Sequence, residues 1–383
     1  MIDALQIREC RPLALTVLGM GPFQEKPITL DFINETGKIS NFYLLISRNG
    51  FGKTTLLEAM ASLMRLLAPD LTPSEKNLHS RLWSHPKARA QLDLRLAVSL
   101  GGRTREILLT LAAGEGQPWN LRNRDAGERE RTQTREQLHI AWTRSPGGRW
   151  KLEKSADDLV EELLGLVKAE TKSAYQAFGP NTLTVPSLLY FDAYRDIPVM
   201  NRSRLTISRP EAWTYWPVHH FGAHGEQWRG SLDNLLVWLT WLDDGRYEQV
   251  QKLLNESVFA ETDKALDQIV RSELKANVID RGSRHRLDQL SSGEKSMVQL
   301  LLRIHLHLTT HSIILIDELD AHLHVKLQHR LYHALRGLIA AHPNLTLIVT
   351  THSLELIEQF EVDLKNGDPG LHLGGYLIER NEI

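Results

Sequence analysis

A short glycine-containing loop at residues 47–55, with the sequence SRNGFGKTT, constrains this chain more than any other segment. It follows an apolar run at residues 42–46 that is typical of a buried strand. Residues 54–67 come next and carry leucines and methionines at helical spacing. A phosphate-binding loop requires this order of strand, loop and helix. The order therefore predicts an anion site at the start of the helix.

The residue types of this loop fit a nucleotide and Mg²⁺. Amides at a helix N-terminus attract phosphate, and the helix dipole adds to that attraction. Lys53 is expected to reach the β- and γ-phosphates, and the Thr54 hydroxyl to ligate Mg²⁺. Ser47 stands where glycine is usual, and a left-handed backbone there would cost about 1 kcal/mol. Gly50 and Gly52 keep the positions of close approach. The alternative is a glycine turn with an exposed lysine.

Two adjacent carboxylates follow a second apolar run, at residues 313–316. Many buried strands end in acidic residues without any catalytic role. Beside a phosphate loop, however, Asp317 is expected to hold Mg²⁺ through its water shell, and Glu318 to orient and deprotonate the attacking water. One carboxylate is then committed to the metal, and the other stays available as a base.

Two further motifs complete an ordered set. Residues 290–296, LSSGEKS, open a helix with one apolar face, so they form either an anion site or a simple helix cap. A lone histidine after an apolar strand, here His352, is usually structural. Because it follows the other motifs in order, we predict that His352 senses the γ-phosphate.

The rest of the chain predicts an α/β fold in three parts. Period-two segments at 91–112 and 137–152, each broken by glycine, predict two β-hairpins. The last third alternates helix and strand, which predicts a parallel, helix-covered sheet. A tryptophan-rich stretch favours a mostly helical insertion. The predicted parts are residues 1–198, residues 199–285 as the insertion, and residues 286–383.

The overall charge offers no general attraction to nucleic acid or membrane, because 45 lysines and arginines face 47 aspartates and glutamates. A polar tract at residues 122–135 interleaves arginines with acids; a solvated hairpin tip is favoured over a contact with a phosphate backbone. The single cysteine, Cys10, excludes an internal disulfide. No signal peptide is evident, and no apolar run approaches the roughly 20 residues of a membrane helix. We therefore expect a cytoplasmic protein without a membrane partner.

The four motifs, in this order, resemble those of the ABC-type ATPases from about residue 13 to residue 358. The family's signature sequence matches residues 290–294, its acidic strand matches residues 313–318, and its switch histidine matches His352. The resemblance implies an ABC-ATPase head, a P-loop NTPase fold with a mixed β-sheet lobe, a parallel-sheet core and the helical insertion. A matching Q-loop glutamine is not evident; the strand that ends at Asp192 is the candidate region.

Within that superfamily, the run DELDAHLH at residues 317–324 resembles the OLD-like, RecF-like and SMC-like ATPases of DNA metabolism and phage defence. Leu319 and Val325 stand where many OLD-like members have proline, and Asp320 replaces a glutamate. The histidines His322 and His324 are retained. The resemblance implies that these histidines support a dimer contact, which we favour over a metal site.

The family's mechanism implies two heads stacked head to tail in a homodimer, with ATP and Mg²⁺ as ligands. Glu318 and His352 would serve hydrolysis, which is expected to be slow and regulatory, and Thr54 and Asp317 would hold Mg²⁺. The implied ATP-binding residues are Asn49, Gly50, Gly52, Lys53, Thr54 and Thr55, and the signature residues that contact ATP across the dimer are Ser291, Ser292, Gly293 and Glu294.

The biological setting stays open among three interpretations. The favoured one is a bacterial defence or DNA-repair ATPase, resembling PtuA-type ATPases, whose effector is a separate nuclease or toxin. A RecF-like DNA-binding clamp, which would bind DNA or RNA through a basic surface, is the first alternative. A transporter ATPase subunit is the second, and the Glu294-Lys295 pair argues against it.

Overall fold

The structure is a computed structural model. It describes residues 5–68, 82–100, 102–116, 136–172, 183–197, 206–222, 228–269 and 274–379. The polar tract predicted at residues 122–135 lies outside these ranges, so its interpretation stays a prediction.

The described residues include a mixed sheet built mainly from the first 154 positions, in which the two predicted hairpins are confirmed. Its strands, from one edge to the other, are β2 (Ile28–Asp31), β1 (Gln6–Leu18), β4 (Arg89–Leu100), β5 (Arg103–Glu115), β6 (Glu136–Arg144) and β7 (Trp150–Lys154). Neighbouring strands are antiparallel except for β5 and β6, which run parallel. The predicted hairpins are therefore neighbours in one sheet.

A second sheet of the described residues is parallel throughout and forms the core of the fold. Its order is β15 (Leu373–Leu377), β3 (Phe42–Ile46), β14 (Thr346–Thr351), β13 (His311–Ile316), β8 (Pro186–Phe191) and β9 (Val218–Phe221). The central strands β13, β14 and β8 are buried along their whole length, which explains their nearly continuous apolar sequences. Because parallel strands end at a common edge, the loops after them meet there.

The helices of the described residues cover this core. They are α1 (Lys53–Met64), α2 (Asp158–Lys172), α3 (Leu232–Leu242), α4 (Arg246–Ser257), α5 (Ser292–His307), α6 (Val325–Ala341) and α7 (Leu354–Asn366). Short 3₁₀ turns occupy Arg65–Leu67, Trp228–Gly230 and Leu287–Gln289.

Alternate residues of the central strand β13 face two separate apolar clusters. Ile313 and Leu315 join the cluster that contains α1 and the mixed sheet. Ile314 and Ile316 join the cluster that contains α3 to α7. The parallel sheet is therefore buried between a helix-and-sheet layer on one face and a helical layer on the other. The predicted α/β class with a mixed lobe and a parallel core is confirmed.

The region predicted as a mostly helical insertion contains strands as well as helices. Helices α3 and α4 are present, but β9 joins the edge of the parallel sheet beside β8. A small antiparallel sheet follows, made of β10 (Lys264–Leu266), β11 (Asn277–Asp280) and β12 (Ser283–Arg286). Strands of three or four residues are too short to show a clear period of two, and tertiary pairing decides their conformation. The predicted boundaries of the three parts stay a prediction.

Candidate functional site

The predicted phosphate loop joins β3 to α1 and has the backbone that such a loop needs. Gly50 and Gly52 have positive φ values of 81° and 90°, and Gly52 caps the helix. A Cβ at Gly52 would lie 2.5 Å from the ring of Phe23, so only glycine fits there. Ser47 has no left-handed backbone. The backbone strain that a left-handed Ser47 would cause is therefore absent, and serine fits at this position of the loop.

Lys53 begins α1 and turns its buried side chain back across the loop. Its ammonium donates to the carbonyl of Ser47 at 3.1 Å and lies 2.9 Å from Nε2 of His352. Burial lowers the pKa of Lys53, and the carboxylates of Asp317 and Glu318 oppose that shift. With the ammonium as donor, His352 Nε2 accepts, so the proton of a neutral ring lies on Nδ1. A cation is thus held at the centre of the loop.

Thr54 and Asp317 place two oxygens side by side where Mg²⁺ is expected. Thr54 Oγ1 donates to Asp317 Oδ2 at 2.6 Å, and Thr350 Oγ1 donates to the other oxygen, Oδ1, at 2.7 Å. Asp317 is 3% exposed, whereas Thr54 faces solvent. Mg²⁺ is commonly held by one or two protein oxygens, with phosphates and water completing the shell. This pair fits such an ion.

Glu318 and His352 lie close together beside the loop. Glu318 Oε1 is 3.9 Å from His352 Nε2, and the side chain of Glu318 is 42% exposed, so water can reach it. Its backbone is left-handed, with φ of 47°, and its amide donates to Thr350 Oγ1 at 2.7 Å. Asp320 accepts from the amide of His352 at 3.1 Å and from the Thr351 hydroxyl. His352 is therefore anchored to the segment that carries Glu318.

Arg195 is a site residue for which the sequence analysis assigned no role. It is 4% exposed and its guanidinium donates to the carbonyls of Asp317 and Glu318 at 2.6 and 2.8 Å. Burial lowers its pKa to about 10, against the raising effect of the nearby carboxylates. Its position among acidic residues directly after a buried strand was the available signal. Arginine is rarely buried without such partners.

The signature residues lie at the start of α5, and the structure shows an internal role for two of them. Ser291 caps the helix, and its amide donates to Glu294 Oε2 at 3.0 Å in a capping box. Lys264 of β10 donates to Glu294 Oε1 at 2.9 Å. Burial raises the pKa of Glu294, but the bonds from Lys264 and Ser291 together outweigh it and lower that pKa. Ser292 is exposed at the first turn.

Gly293 is buried against the segment that follows the acidic strand. A Cβ there would lie 2.9 Å from Leu327 Cδ1 and 3.2 Å from the carbonyl of His322. His322 is exposed, and its ring meets that of Tyr194 edge to face at 6.0 Å. His324 caps α6 through its own side chain. Throughout the described ranges, no three histidine, cysteine or acidic side chains gather in a way that could hold a metal.

The remaining predicted residues occupy the expected elements. Asn49 is exposed at the tip of the loop, and Thr55 packs against the turn at Gly21. Asp192, at the end of β8, pairs with Nε2 of His220 on β9 at 2.6 Å. The structure thus brings Lys53, the residues after the acidic strand and His352 together, while the predicted signature residues form a separate surface at the start of α5.

Comparison with known proteins finds a similarity to one described family over part of the chain. Residues 201–358 match the family described as "AAA domain, putative AbiEii toxin, Type IV TA system". No curated protein matches the chain. The solved ATP-binding cassette MJ0796, in a dimeric post-hydrolysis state bound to ADP and Pi, has 13% identity and a TM-score of 0.29, with 92% of this chain and 89% of that chain covered. A second dimeric structure of MJ0796, described as a bacterial ABC transporter cassette, has 13% identity and a TM-score of 0.30, with 92% and 90% covered.

In the described ranges, no helix combines the length and the apolar character needed to cross a membrane.

Proposed function

We propose that this chain, which has the fold of an ABC/AAA-type P-loop ATPase, hydrolyses ATP in composite sites formed by two copies of its head. The observation that carries the proposal is the convergence of Lys53, Thr54, Asp317, Glu318 and His352 at one edge of the parallel sheet. These five side chains come from three loops and supply a phosphate-binding cation, oxygens for Mg²⁺ and a solvent-accessible carboxylate.

Each side chain has a distinct task in this proposal. Lys53 and the loop amides bind the phosphates, and Thr54 and Asp317 hold Mg²⁺, which when bound neutralises phosphate charge. Glu318 orients the attacking water and takes its proton. His352 contacts the γ-phosphate. Because Glu318 has a left-handed backbone fixed by neighbouring hydrogen bonds, its carboxylate is directed before the substrate arrives.

The start of α5 supports the homodimer. Ser291 and Ser292 are exposed at a helix N-terminus, which attracts anions. The capping carboxylate of Glu294 is neutralised by Lys264, so the helix start keeps its attraction for a phosphate. In a two-fold arrangement, the start of α5 in each head caps the nucleotide on the other head, and two equal sites form.

The proposed setting is control of a separate effector, a nuclease or toxin, in bacterial anti-phage defence or DNA repair. The family matched by residues 201–358 is described as a putative toxin of a type IV toxin–antitoxin system, which supports a role in growth control or defence. ATP-driven closing of the heads would switch the effector, and hydrolysis would reset it. The RecF-like clamp remains the second candidate, but its strongest basic tract lies outside the described residues.

Replacement of Glu318 by glutamine tests the proposal. The amide keeps the size of the side chain but removes the base, so the variant should bind ATP, lose hydrolysis by at least about 100-fold and accumulate as a dimer. Light scattering with and without saturating ATP measures the dimer, and phosphate release measures hydrolysis. Glu358→Gln, on the exposed side of α7, is the matched control and should behave like the wild type. A variant that stays monomeric in saturating ATP would contradict the composite site.

A further inference from the structure

Arg195 connects two parts of the molecule that serve different active sites in the proposed dimer. Through Nη1 and Nη2 it holds the carbonyls of Asp317 and Glu318, which belong to the site on its own head. Through Nε it donates to Ser296 Oγ at 2.9 Å, in the second turn of α5. The start of α5 contributes to the site on the partner head. One buried guanidinium thus touches a component of each site.

We propose that Arg195 is a positioning residue that couples the two sites, by transmitting the state of the acidic strand to the signature helix of the same head. This inference rests on the proposed composite site. In this proposal Arg195 does not contact the nucleotide. It acts through the backbone of Asp317 and Glu318 and through the hydroxyl of Ser296.

The geometry favours a rigid connection. Arg195 also donates to the carbonyl of Asp192 at 2.7 Å, so its planar group is fixed by four acceptors on three elements. The left-handed backbone of Glu318 is retained only if its surroundings hold it, and Arg195 holds its carbonyl. A shift of this backbone when nucleotide binds must therefore move the guanidinium or break a buried charge-assisted bond, which costs more than a neutral one.

Other contacts join the segment after β8, which carries Arg195, to α5 without involving the guanidinium. Lys295 pairs with Asp196 at 2.9 Å, and Gln299 Nε2 donates to the carbonyl of Asp196 at 3.0 Å. These contacts dock the segment on the helix, but they do not reach the acidic strand. They provide a control that separates docking from coupling.

The test uses Ser296→Ala, because removing the buried guanidinium itself would leave several carbonyls unpaired and could prevent folding. Ser296→Ala removes one oxygen and leaves the bonds to Asp317 and Glu318 intact. Its matched control is Gln299→Met, which removes a bond between α5 and the same segment but not one made by Arg195. Each is placed in a Ser292→Arg background, whose bulky cation blocks the second head, and light scattering verifies the monomer.

In the Ser292→Arg monomer, ADP with Mg²⁺ should slow amide hydrogen exchange at residues 295–302 by about threefold. The slowing should persist with Gln299→Met and disappear with Ser296→Ala. In the chain without Ser292→Arg, Ser296→Ala should lower kcat about tenfold and leave KM within about twofold, because the substitution removes one charge-assisted bond and the coupling acts on the steps after nucleotide has bound.

Exchange that responds to nucleotide equally with and without the Ser296 hydroxyl overturns the coupling, as does loss of the response with Gln299→Met. A helix that does not respond in any variant, although titration calorimetry shows nucleotide binding, also overturns it and leaves the proposed function standing. Absence of nucleotide binding in the wild-type chain counts against the proposed function itself.

Discussion

The hydroxyl of Thr54 donates to a carboxylate oxygen of Asp317 at 2.6 Å, although 263 positions separate the two residues in the chain. The first residue stands in the opening turn of α1, and the second follows β13. Their meeting depends on β3 and β13 ending at the same edge of a parallel sheet. A site assembled in this way is sensitive both to the geometry of the local loop and to the packing of distant elements.

Lys53→Ala should lower ATP affinity by about 100-fold. The substitution removes a cation that the fold already aims across the phosphate loop, and a hydrogen bond to a charged group contributes about 1.5–3 kcal/mol. Titration calorimetry measures the affinity, and Lys38→Ala, on an exposed turn, serves as the control. Unchanged affinity in Lys53→Ala would refute the assignment of the phosphate loop.

Gly52→Ala should destabilise the fold more than Gly50→Ala. Both glycines have positive φ, so alanine carries a backbone penalty of about 1 kcal/mol at either position. At Gly50 the added Cβ meets no atom within 4 Å, whereas at Gly52 it meets the buried ring of Phe23 at 2.5 Å. Overpacking adds about 1–3 kcal/mol. Urea unfolding without nucleotide measures both, and equal losses would contradict the packing argument.

Gly337→Ala should stabilise the fold, whereas Gly293→Ala should not. Both glycines are helical, but the Cβ at Gly293 would press on Leu327 and the carbonyl of His322, while that at Gly337 enters open space. We expect Gly337→Ala to stabilise the fold by about 0.5–1 kcal/mol through helix propensity. Gly293→Ala should gain nothing or lose stability, and should weaken ATP-dependent dimerisation. Thermal unfolding and light scattering measure the pair; a gain of stability at both positions would show that α5 has room at its start.

Stability should fall as the pH drops from 7.5 to 5, because two buried histidines cannot accept protons in the folded state. Burial, together with the charge of Arg303, lowers the pKa of His219 to about 4, and burial places that of His307 well below its usual value. Between pH 6.5 and 4 the unfolded chain binds more protons, so acid favours unfolding. The loss from His219 alone is about 2 kcal/mol at pH 5.

Urea unfolding at the two pH values measures this loss. His307→Phe removes one of the two buried imidazoles and keeps an aromatic ring beside Phe221. It should make the pH dependence shallower than in the wild type. An unchanged dependence would mean that His307 already takes up a proton in the folded state.

The phosphate loop and the acidic strand could be predicted because each is a local pattern of residue types beside an apolar run. The hairpins were predictable for the same reason, since alternation and glycine turns are local signals. The parallel pairing of β5 with β6 could not be predicted, because the residue pattern of a strand does not specify which strand it pairs with. Strand β9 was missed because four residues, Val-His-His-Phe, carry too little pattern to outweigh the helical character around them.

Arg195 shows a different limit of sequence interpretation. Its partners are mainly backbone carbonyls. Every residue has a backbone carbonyl, so the sequence gives no signal for such a partner. The contact between Glu294 and Lys264 was not predictable either, because Lys264 lies 30 positions earlier on a short strand in a region that was expected to be mostly helical. Both residues act through pairings that exist only after the sheets and α5 have come together.

The position of β3 has a consequence for how the protein is made. This early strand lies between β14 and β15, both from the last 40 positions of the chain. While the middle of the sequence is being synthesised, the parallel sheet that positions the predicted phosphate loop is incomplete. Both edges of β3 are then unpaired. Truncation before Leu373 would leave one of those edges uncovered. Nucleotide can therefore serve as a folding ligand only after β14 and β15 have been synthesised and have paired with β3.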